Sequence, residues 1–285
     1  MEKIEIDLPE DYKAAKKLLE RIFNKKLEYL FKMGILPTKK ISKKILLDFQ
    51  NFYSKKIRES KRKEMFFAVS KISELIKLDY CLELLETQGA KQLREYLKKL
   101  EKEKTKASKS LFSDREFNIF NKKVSELGEH PKLEKVKEIV KNELEKKVII
   151  FTQYRITVDE IAKKLREIED AKVGILIGQR FGLSQKHQVR VIRDFEEGIY
   201  NCLLATSIGE EGLDIKGVGT AIFYEPVPSE IRSIQRRGRV ARLIKGKIYI
   251  LITKGTRDEA YYWTAYHKEK KMKNFLVREN LEKYC

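Results

Sequence analysis

The distribution of glycine divides this chain into two parts that follow different folding rules. Gly34, Gly89 and Gly128 are the three glycines of residues 1–130, and the other eleven of the fourteen lie beyond. A segment so poor in glycine has few sites for sharp turns, and its apolar residues recur at three- and four-residue steps, as in Leu75, Leu78, Leu82 and Leu85, which is helical spacing. Breaks are expected at Gly34 to Thr38, where Pro37 stops a helix, at Gln88-Gly89, and across the polar stretch Lys102 to Ser110. No internal repeat is evident. After His130-Pro131 the pattern changes: a helix ending before Lys146 is followed by short apolar runs at Val148 to Phe151, Lys172 to Ile177, Cys202 to Ala205, Thr220 to Tyr224 and Lys247 to Ile252. Amphipathic stretches between them predict helices near Arg155 to Ile168, Ser184 to Glu197 and Ser229 to Arg237. Strands of this kind alternating with helices specify an α/β domain with a parallel sheet covered on both faces. The expected organisation is an all-α helical domain over 1–130 and an α/β domain over 131–285. The latter ends in a helix from residue 256, with Tyr261, Tyr262, Trp263 and Tyr266 packing onto the core or toward the helical part.

The 285 residues carry a formal charge of +19. That excess calls for an anionic partner, and nucleic acid is the commonest one for a soluble basic protein; acidic proteins and anionic membranes are the other readings. Residues 1–130 hold thirty-one lysines and arginines against twenty-one acids, and the stretch Lys32 to Lys63 alone holds eleven against Asp48 and Glu59. A heat-adapted, ion-pair-rich surface explains abundant charge, but not its concentration in one segment. Lys39, Lys40, Lys43 and Lys44 are the candidate phosphate contacts there. Phe49, Phe52 and Tyr53 either stack on unpaired bases or form helix core, the commoner use of aromatics at this spacing. Cys81, Cys202 and Cys285 lie far apart and His130, His187 and His267 are scattered, so neither a disulfide framework nor a metal site is expected, and the compartment reads as reducing. Apolar runs fall far short of the ~20 residues that cross a bilayer, and the N-terminus lacks an apolar signal core. No membrane contact is expected, and the default location is cytoplasmic, beside the nucleoid in a prokaryote.

The run Gln235-Arg236-Arg237-Gly238-Arg239-Val240-Ala241-Arg242 lies downstream of Ala205 to Ile215, which contains Gly209-Glu210-Glu211-Gly212-Leu213-Asp214. Arginines on a glycine-tightened turn can bring fixed positive charge to a phosphoryl group in transfer, although such a run on its own also suits a solvated surface turn. No stretch reads Gly-x-x-x-x-Gly-Lys-Ser/Thr, the loop that cradles a triphosphate and its magnesium; Gly178 to Gly182 lacks the lysine that should follow and reads as a turn. Three stretches together are more specific. Val148-Ile149-Ile150-Phe151-Thr152-Gln153-Tyr154-Arg155, then Gly212-Leu213-Asp214-Ile215, then Gln235-x-x-Gly238-Arg239-x-x-Arg242 resemble, in order, motifs IV, V and VI of superfamily 2 helicases. The string Phe223 to Gln235 closely resembles the Hef, FANCM and Mph1 group of fork-remodelling DNA helicases, its archaeal members most of all. The helical part resembles, by position and character, the domain this group inserts between its two motor domains.

The resemblance implies a RecA-like sheet domain preceded by a helical insertion domain, and an ATP-dependent DNA helicase acting on forked or branched DNA in replication-fork repair. On its terms Arg239 and Arg242 reach ATP bound to the first RecA-like domain, Gln235 helps position the phosphates, and Glu211, Gly212 and Asp214 border the nucleotide cleft. Thr152, Gln153, Gln185 and Thr206 face the nucleic-acid track, where hydroxyls, amides and N–H groups bind phosphates without reading sequence. ATP and Mg2+ would be held mainly by that first RecA-like domain, which is thereby an implied partner, as is a nuclease domain in the full-length protein. Ile4 to Pro9 reads as the exit from the first motor domain and the chain as part of a longer protein, catalytically incomplete alone. Val240-Ala241 stands where Thr-Gly is frequent in the family; both flanking arginines are kept. An RNA helicase half is a second reading, because backbone contacts do not separate DNA from RNA. A non-catalytic nucleic-acid-binding module is a third, against which intact Gln235, Arg239 and Arg242 argue.

Overall fold

The computed structural model of the chain describes residues 1–60, 62–177, 185–206, 215, 217–226 and 246–267. They form two compact units: Pro9–Glu129, and Met1–Leu8 together with His130–Cys285.

The first unit is built from helices α1 (Glu10–Lys32), α2 (Lys43–Ser60), α3 (Lys63–Thr87), α4 (Ala90–Lys102), α5 (Lys106–Phe112) and α6 (Arg115–Glu126). Its axis is α3, which buries Ala68, Ile72, Leu75, Leu78, Leu82 and Leu85 at the expected spacing. Ile72 and Leu75 join Leu27 and Leu30 of α1, Leu46 of α2 and Leu36 of the intervening loop in one core. Gly34 makes that loop possible. Its φ of +67° ends α1 in a left-handed turn, in which Ile35 N–H donates to Leu30 O at 3.0 Å and Gly34 N–H to Phe31 O at 3.0 Å. The chain also breaks at Gln88-Gly89, as expected. The polar stretch Lys102 to Ser110 departs from expectation, because most of it is helical: the interruption shrinks to residues 103–105, and Thr105 caps α5 by accepting from Ser108 N–H at 3.2 Å. A capping hydroxyl and small residues suit a helix start better than an extended linker. Asp114 caps α6 in the same way, accepting from Glu116 N–H at 3.0 Å.

The second unit holds a six-stranded parallel sheet in the order β1-β6-β5-β2-β4-β3, with β1 at Glu2–Ile6, β2 at Lys147–Thr152, β3 at Val173–Leu176, β4 at Cys202–Thr206, β5 at Val218–Phe223 and β6 at Lys247–Thr253. Successive side chains of a strand point to opposite faces, so each apolar strand feeds two cores. Val148, Ile150, Cys202, Leu204 and Ile222 meet α7 (Pro131–Glu143) and α8 (Arg155–Leu165) through Val136, Val140, Val158 and Ile161. Ile149, Phe151, Leu203, Ala205, Ala221 and Phe223 meet Val191 and Phe195 of α9 (Gln185–Glu196) on the other face. The opening residues correct the expected domain division. Instead of belonging to the helical part, β1 pairs with β6 from Glu2↔Tyr249 to Ile6↔Thr253 and buries Ile6 in the sheet's core, because alternating Ile4 and Ile6 have an apolar face to cover. A helix spans 257–267 where the terminal helix was expected. The helix expected at Ser229 to Arg237 lies outside the described residues. Cys81 and Cys202 are buried in separate units, and burial pushes the Cys202 thiol up to about 12. Among the described residues no helix is long and apolar enough to cross a membrane.

Candidate nucleic-acid interface

Ligands of open parallel sheets meet the carboxyl ends of the strands, at the point where strand order reverses. Here that point is β2, flanked by β4 on one side and β5 on the other. Thr152 and Thr206, the last residues of β2 and β4, stand in register as neighbours. The segment carrying Glu211, Gly212 and Asp214 departs after Thr206, and the one carrying Gln235, Arg239 and Arg242 departs after Pro226. Both therefore leave the sheet at one edge. Those six residues themselves lie outside the described residues.

A residue that sequence reasoning did not single out organises this edge. Glu225 follows β5 and is 2% exposed. Its Oε2 accepts from Thr152 Oγ1 at 3.1 Å, and its Oε1 accepts from the backbone N–H of Gln153. The stacked rings of Phe151 and Phe223, 5.2 Å apart, and the bond from Tyr224 N–H to Phe151 O at 3.0 Å bring the two strand ends to this distance. Glu225 thus fixes where the chain turns after β2. The Thr152 hydroxyl, expected to face the nucleic-acid track, is buried and donates to Glu225, and the neighbouring Gln153 is half-buried. Thr206 is also buried, and among the described residues its Oγ1 has no hydrogen-bond partner. Gln185 opens α9, exposed, beside exposed Lys186, which stands one turn before exposed Arg190. Gln188 Nε2 donates to Ile177 O at 2.8 Å and ties the first turn of α9 to the end of β3.

Behind Glu225 lies a second feature missed in the sequence. Lys132 of α7 and Asp258 of the helix at 257–267 form an ion pair in which both side chains are 0% exposed. Lys132 Nζ lies 5.1 Å from the Tyr224 ring, and Asp258 Oδ2 accepts from Thr253 N–H at 3.0 Å. Nothing in hydropathy marks a lysine one residue into a helix as buried. Glu225 had a signal, a carboxylate directly following an apolar strand inside the string Phe223 to Gln235.

On the helical unit, Lys39, Lys40, Lys43 and Lys44 are all exposed, on the loop before α2 and on its first turn. Two of them have partners: Lys39 Nζ lies 3.5 Å from Glu28 and 5.4 Å from the Phe31 ring, and Lys43 Nζ lies 2.9 Å from Glu83 and 5.2 Å from the Tyr80 ring. Lys40 and Lys44 make no ion pair with another described residue. The three aromatics divide. Phe49 and Tyr53 pack on the Leu27-Leu46-Leu75 core, and Tyr53 Oη donates to Ile35 O at 3.1 Å. Phe52 remains 45% exposed, with Lys56 Nζ 4.6 Å from its ring.

Residues 131–244 match the family model described as "Helicase conserved C-terminal domain", and residues 11–129 match the one described as "Putative ATP-dependent RNA helicase, helical bundle". Among solved structures, the Pyrococcus furiosus Hef helicase domain shares the fold of both units with a TM-score of 0.78 at 39% identity, over 93% of this chain and 57% of that one. The chain is a C-terminal helicase region of the Hef and FANCM type of superfamily 2. In Hef-type terms its parallel sheet is the RecA-like fold of the C-terminal helicase domain, and its helical unit is the bundle that precedes that domain in sequence. A relative in Methanocaldococcus jannaschii, named "Putative ATP-dependent RNA helicase", is 41% identical over 284 residues, 96% of this chain and 36% of its own length. The "ATP-dependent DNA helicase fml1" of Schizosaccharomyces pombe is 40% identical over 141 residues, 45% of this chain and 17% of its own length. The chain thus spans about a third of the first of these relatives and less than a fifth of the second.

Proposed function

We propose that the chain is part of an ATP-dependent DNA helicase acting on forked or branched DNA, with the helical unit gripping one arm and the carboxyl edge of the sheet contacting the backbone of the strand being moved. The observation that carries this reading is the segment Lys32 to Lys63, where eleven basic residues stand against two acids and Lys40 and Lys44 are exposed without ion pairs to other described residues. Charge of that density binds phosphates by releasing their counterions, and phosphate contacts fix position without reading bases. The substrate is then chosen by its shape. Separate contact regions on two units suit a substrate with two arms.

ATP with Mg2+, held mainly by the first RecA-like domain, supplies the free energy of phosphoanhydride cleavage. Arg239 and Arg242 bring positive charge to the transferred phosphoryl, Gln235 orients the phosphates, and Glu211, Gly212 and Asp214 border the cleft. Departure of both segments from the same edge of the sheet supports this assignment. Glu225 keeps the Thr152-Gln153 turn in place beneath the track, with Thr206 and Gln185 beside it. A reducing cytoplasm next to the nucleoid is the setting this reading requires. The names of the Methanocaldococcus jannaschii relative and of the helical-bundle family favour RNA as the second reading.

Competition binding of the chain to forked, four-way and linear duplex DNA of equal length, and to the RNA counterparts, tests the proposal. The forked and four-way DNAs are expected to win, and a variant with Lys39, Lys40, Lys43 and Lys44 changed to Gln to lose that advantage. Equal affinity for all three DNA shapes would sink the branch reading, and preference for the RNA set would transfer the function to RNA.

A further inference from the structure

A second feature of the helical unit runs along α3, and its Tyr96 wall packs on Tyr80, the ring beside Lys43. One face of α3 carries Phe66, Val69, Ser70, Ser73, Ile76 and Lys77, spaced as a stripe that would ordinarily seat on a neighbouring helix. Instead it floors a groove of about 440 Å³, walled by Gln50 of α2, Tyr96 of α4 and the Thr105 to Ala107 start of α5. Small side chains at its middle, Ser70 and Ser73, give the groove its depth.

Its lining has three kinds of surface. Val69, Ile76 and Ala107 are apolar, and Phe66 is 47% exposed at the mouth, with no ring partner among the described residues. The polar groups are sparse and oriented. Gln50 Nε2 donates to Ser73 Oγ at 2.8 Å and Ser73 Oγ to Val69 O at 2.7 Å, so the carbonyl of Gln50 is its group left to accept. The Ser70 hydroxyl has no partner among the described residues. The rim is basic: Lys106 lines it, and Arg62, Lys63, Lys104 and Lys109, close in sequence to lining residues, are exposed without ion pairs to described residues. Of the acids close in sequence, Glu103 is paired with Lys77 at 2.6 Å, and Glu64 and Glu101 are exposed, so the basic residues outnumber the acids.

We infer that this groove takes one unpaired nucleotide of a bound strand, its base against Phe66 and the apolar floor, its base edge toward Gln50 and Ser70, and its phosphate at the Lys106 rim. An aromatic face, a few hydrogen-bonding groups and a cationic margin are what a nucleotide offers partners for, and base stacking on an aromatic tolerates any sequence. The inference rests on the nucleic-acid reading above and adds to it a contact made by a base instead of by phosphates. A fork or junction is where unpaired nucleotides occur.

The test compares a single strand of thymidine nucleotides with an abasic strand of the same length, at two salt concentrations. The wild-type chain is expected to bind the base-bearing strand about tenfold more tightly. Salt should weaken both affinities while leaving their ratio unchanged, because the phosphate term is common to the two strands. Phe66→Ala should bring the ratio to about one with abasic affinity unchanged, and Ser70→Leu, which fills the groove and leaves the ring in place, should do the same; unchanged circular dichroism melting certifies the fold of each. The Lys39, Lys40, Lys43 and Lys44 to Gln variant should bind both strands more weakly and keep the ratio. A wild-type ratio of one, or a Phe66→Ala variant that keeps the preference, overturns the groove assignment alone. Failure to bind either strand overturns the nucleic-acid reading as well. Loss of the preference when free thymidine monophosphate is added at concentrations near that of the strand would assign the groove to a free nucleotide instead.

Discussion

At the scale of single residues, the decisive contacts are made by charged groups that the folded chain has buried. Glu225 holds two donors at the end of β2, the Thr152 hydroxyl and the Gln153 N–H. Removing the carboxylate leaves both without an acceptor in a place water does not reach easily, and each such group costs about 1–3 kcal/mol. Glu225→Ala is therefore expected to lower stability by about 2–4 kcal/mol, read as a shift of the urea midpoint at unchanged slope. The same variant should weaken strand binding more than loss of one surface charge would, because the Gln153 turn loses its anchor. A midpoint within experimental error of the wild type would show that the turn holds without Glu225. The residue was within reach of sequence reasoning, since a carboxylate at the end of a buried strand demands a partner; which partner it takes depends on two strands seventy residues apart in the chain becoming neighbours. Lys132 and Asp258 had no such signal, because nothing local to either announces the other.

At the scale of elements, the start of α2 and the clamp across the opposite end of the sheet make separate predictions. Each phosphate neutralised by a lysine contributes about 0.9 to the slope of log affinity against log salt on duplex DNA. Lys40 and Lys44 make no ion pair with another described residue, so changing both to Gln should lower that slope by about 2. Changing Lys39 and Lys43 should lower it by less, because Glu28 and Glu83 already hold their charges. Equal slopes for the two double variants would mean that those ion pairs open on binding. In the sheet, Glu143 of α7 accepts from Thr220 Oγ1 at 3.1 Å, Lys247 Nζ at 2.6 Å and Tyr249 Oη at 2.9 Å, tying a helix to β5 and β6. Burial alone would raise its pKa, but the hydrogen bonds from Lys247, Tyr249 and Thr220 outweigh it and hold the carboxyl below the ordinary 4.5. A depressed carboxylate stabilises the fold above its unfolded pKa, and the contribution fades as pH falls from about that value through the folded one. Melting temperature should therefore fall on acidification below about pH 4.5, with a shallower acid limb in Glu143→Gln. Identical acid limbs would remove Glu143 from the account.

At the scale of the whole molecule, the proposed chemistry needs a phosphate cradle that the sequence does not contain. The chain alone is expected to show no ATP turnover above background, and adding the first RecA-like domain of a Hef-type relative in trans should restore turnover that Arg239→Ala abolishes. Turnover by the isolated chain would overturn the assignment of roles. Much of this architecture was legible in the sequence. Five strand positions and the parallel sheet followed from apolar runs alternating with amphipathic ones, since a strand buried on both faces has no polar side to show. The helical unit followed from three- and four-residue spacing and a shortage of glycine. Three things did not follow. The chain's first strand joins a sheet whose next strand, β2, begins more than a hundred residues later, and short alternating segments do not specify their partners. The interruption expected across Lys102 to Ser110 shrank to residues 103–105, because a capping hydroxyl starts α5 there. The division of Phe49, Phe52 and Tyr53 between core and surface was set by which face of α2 meets α1 and α3. Local periodicity and charge density are properties of neighbouring residues, so the sequence by itself determined the kinds of element, their order and the basic character of the surface. Pairing, burial and the orientation of a hydroxyl or carboxylate depend on residues brought together from distant parts of the chain, and those only the tertiary structure decided.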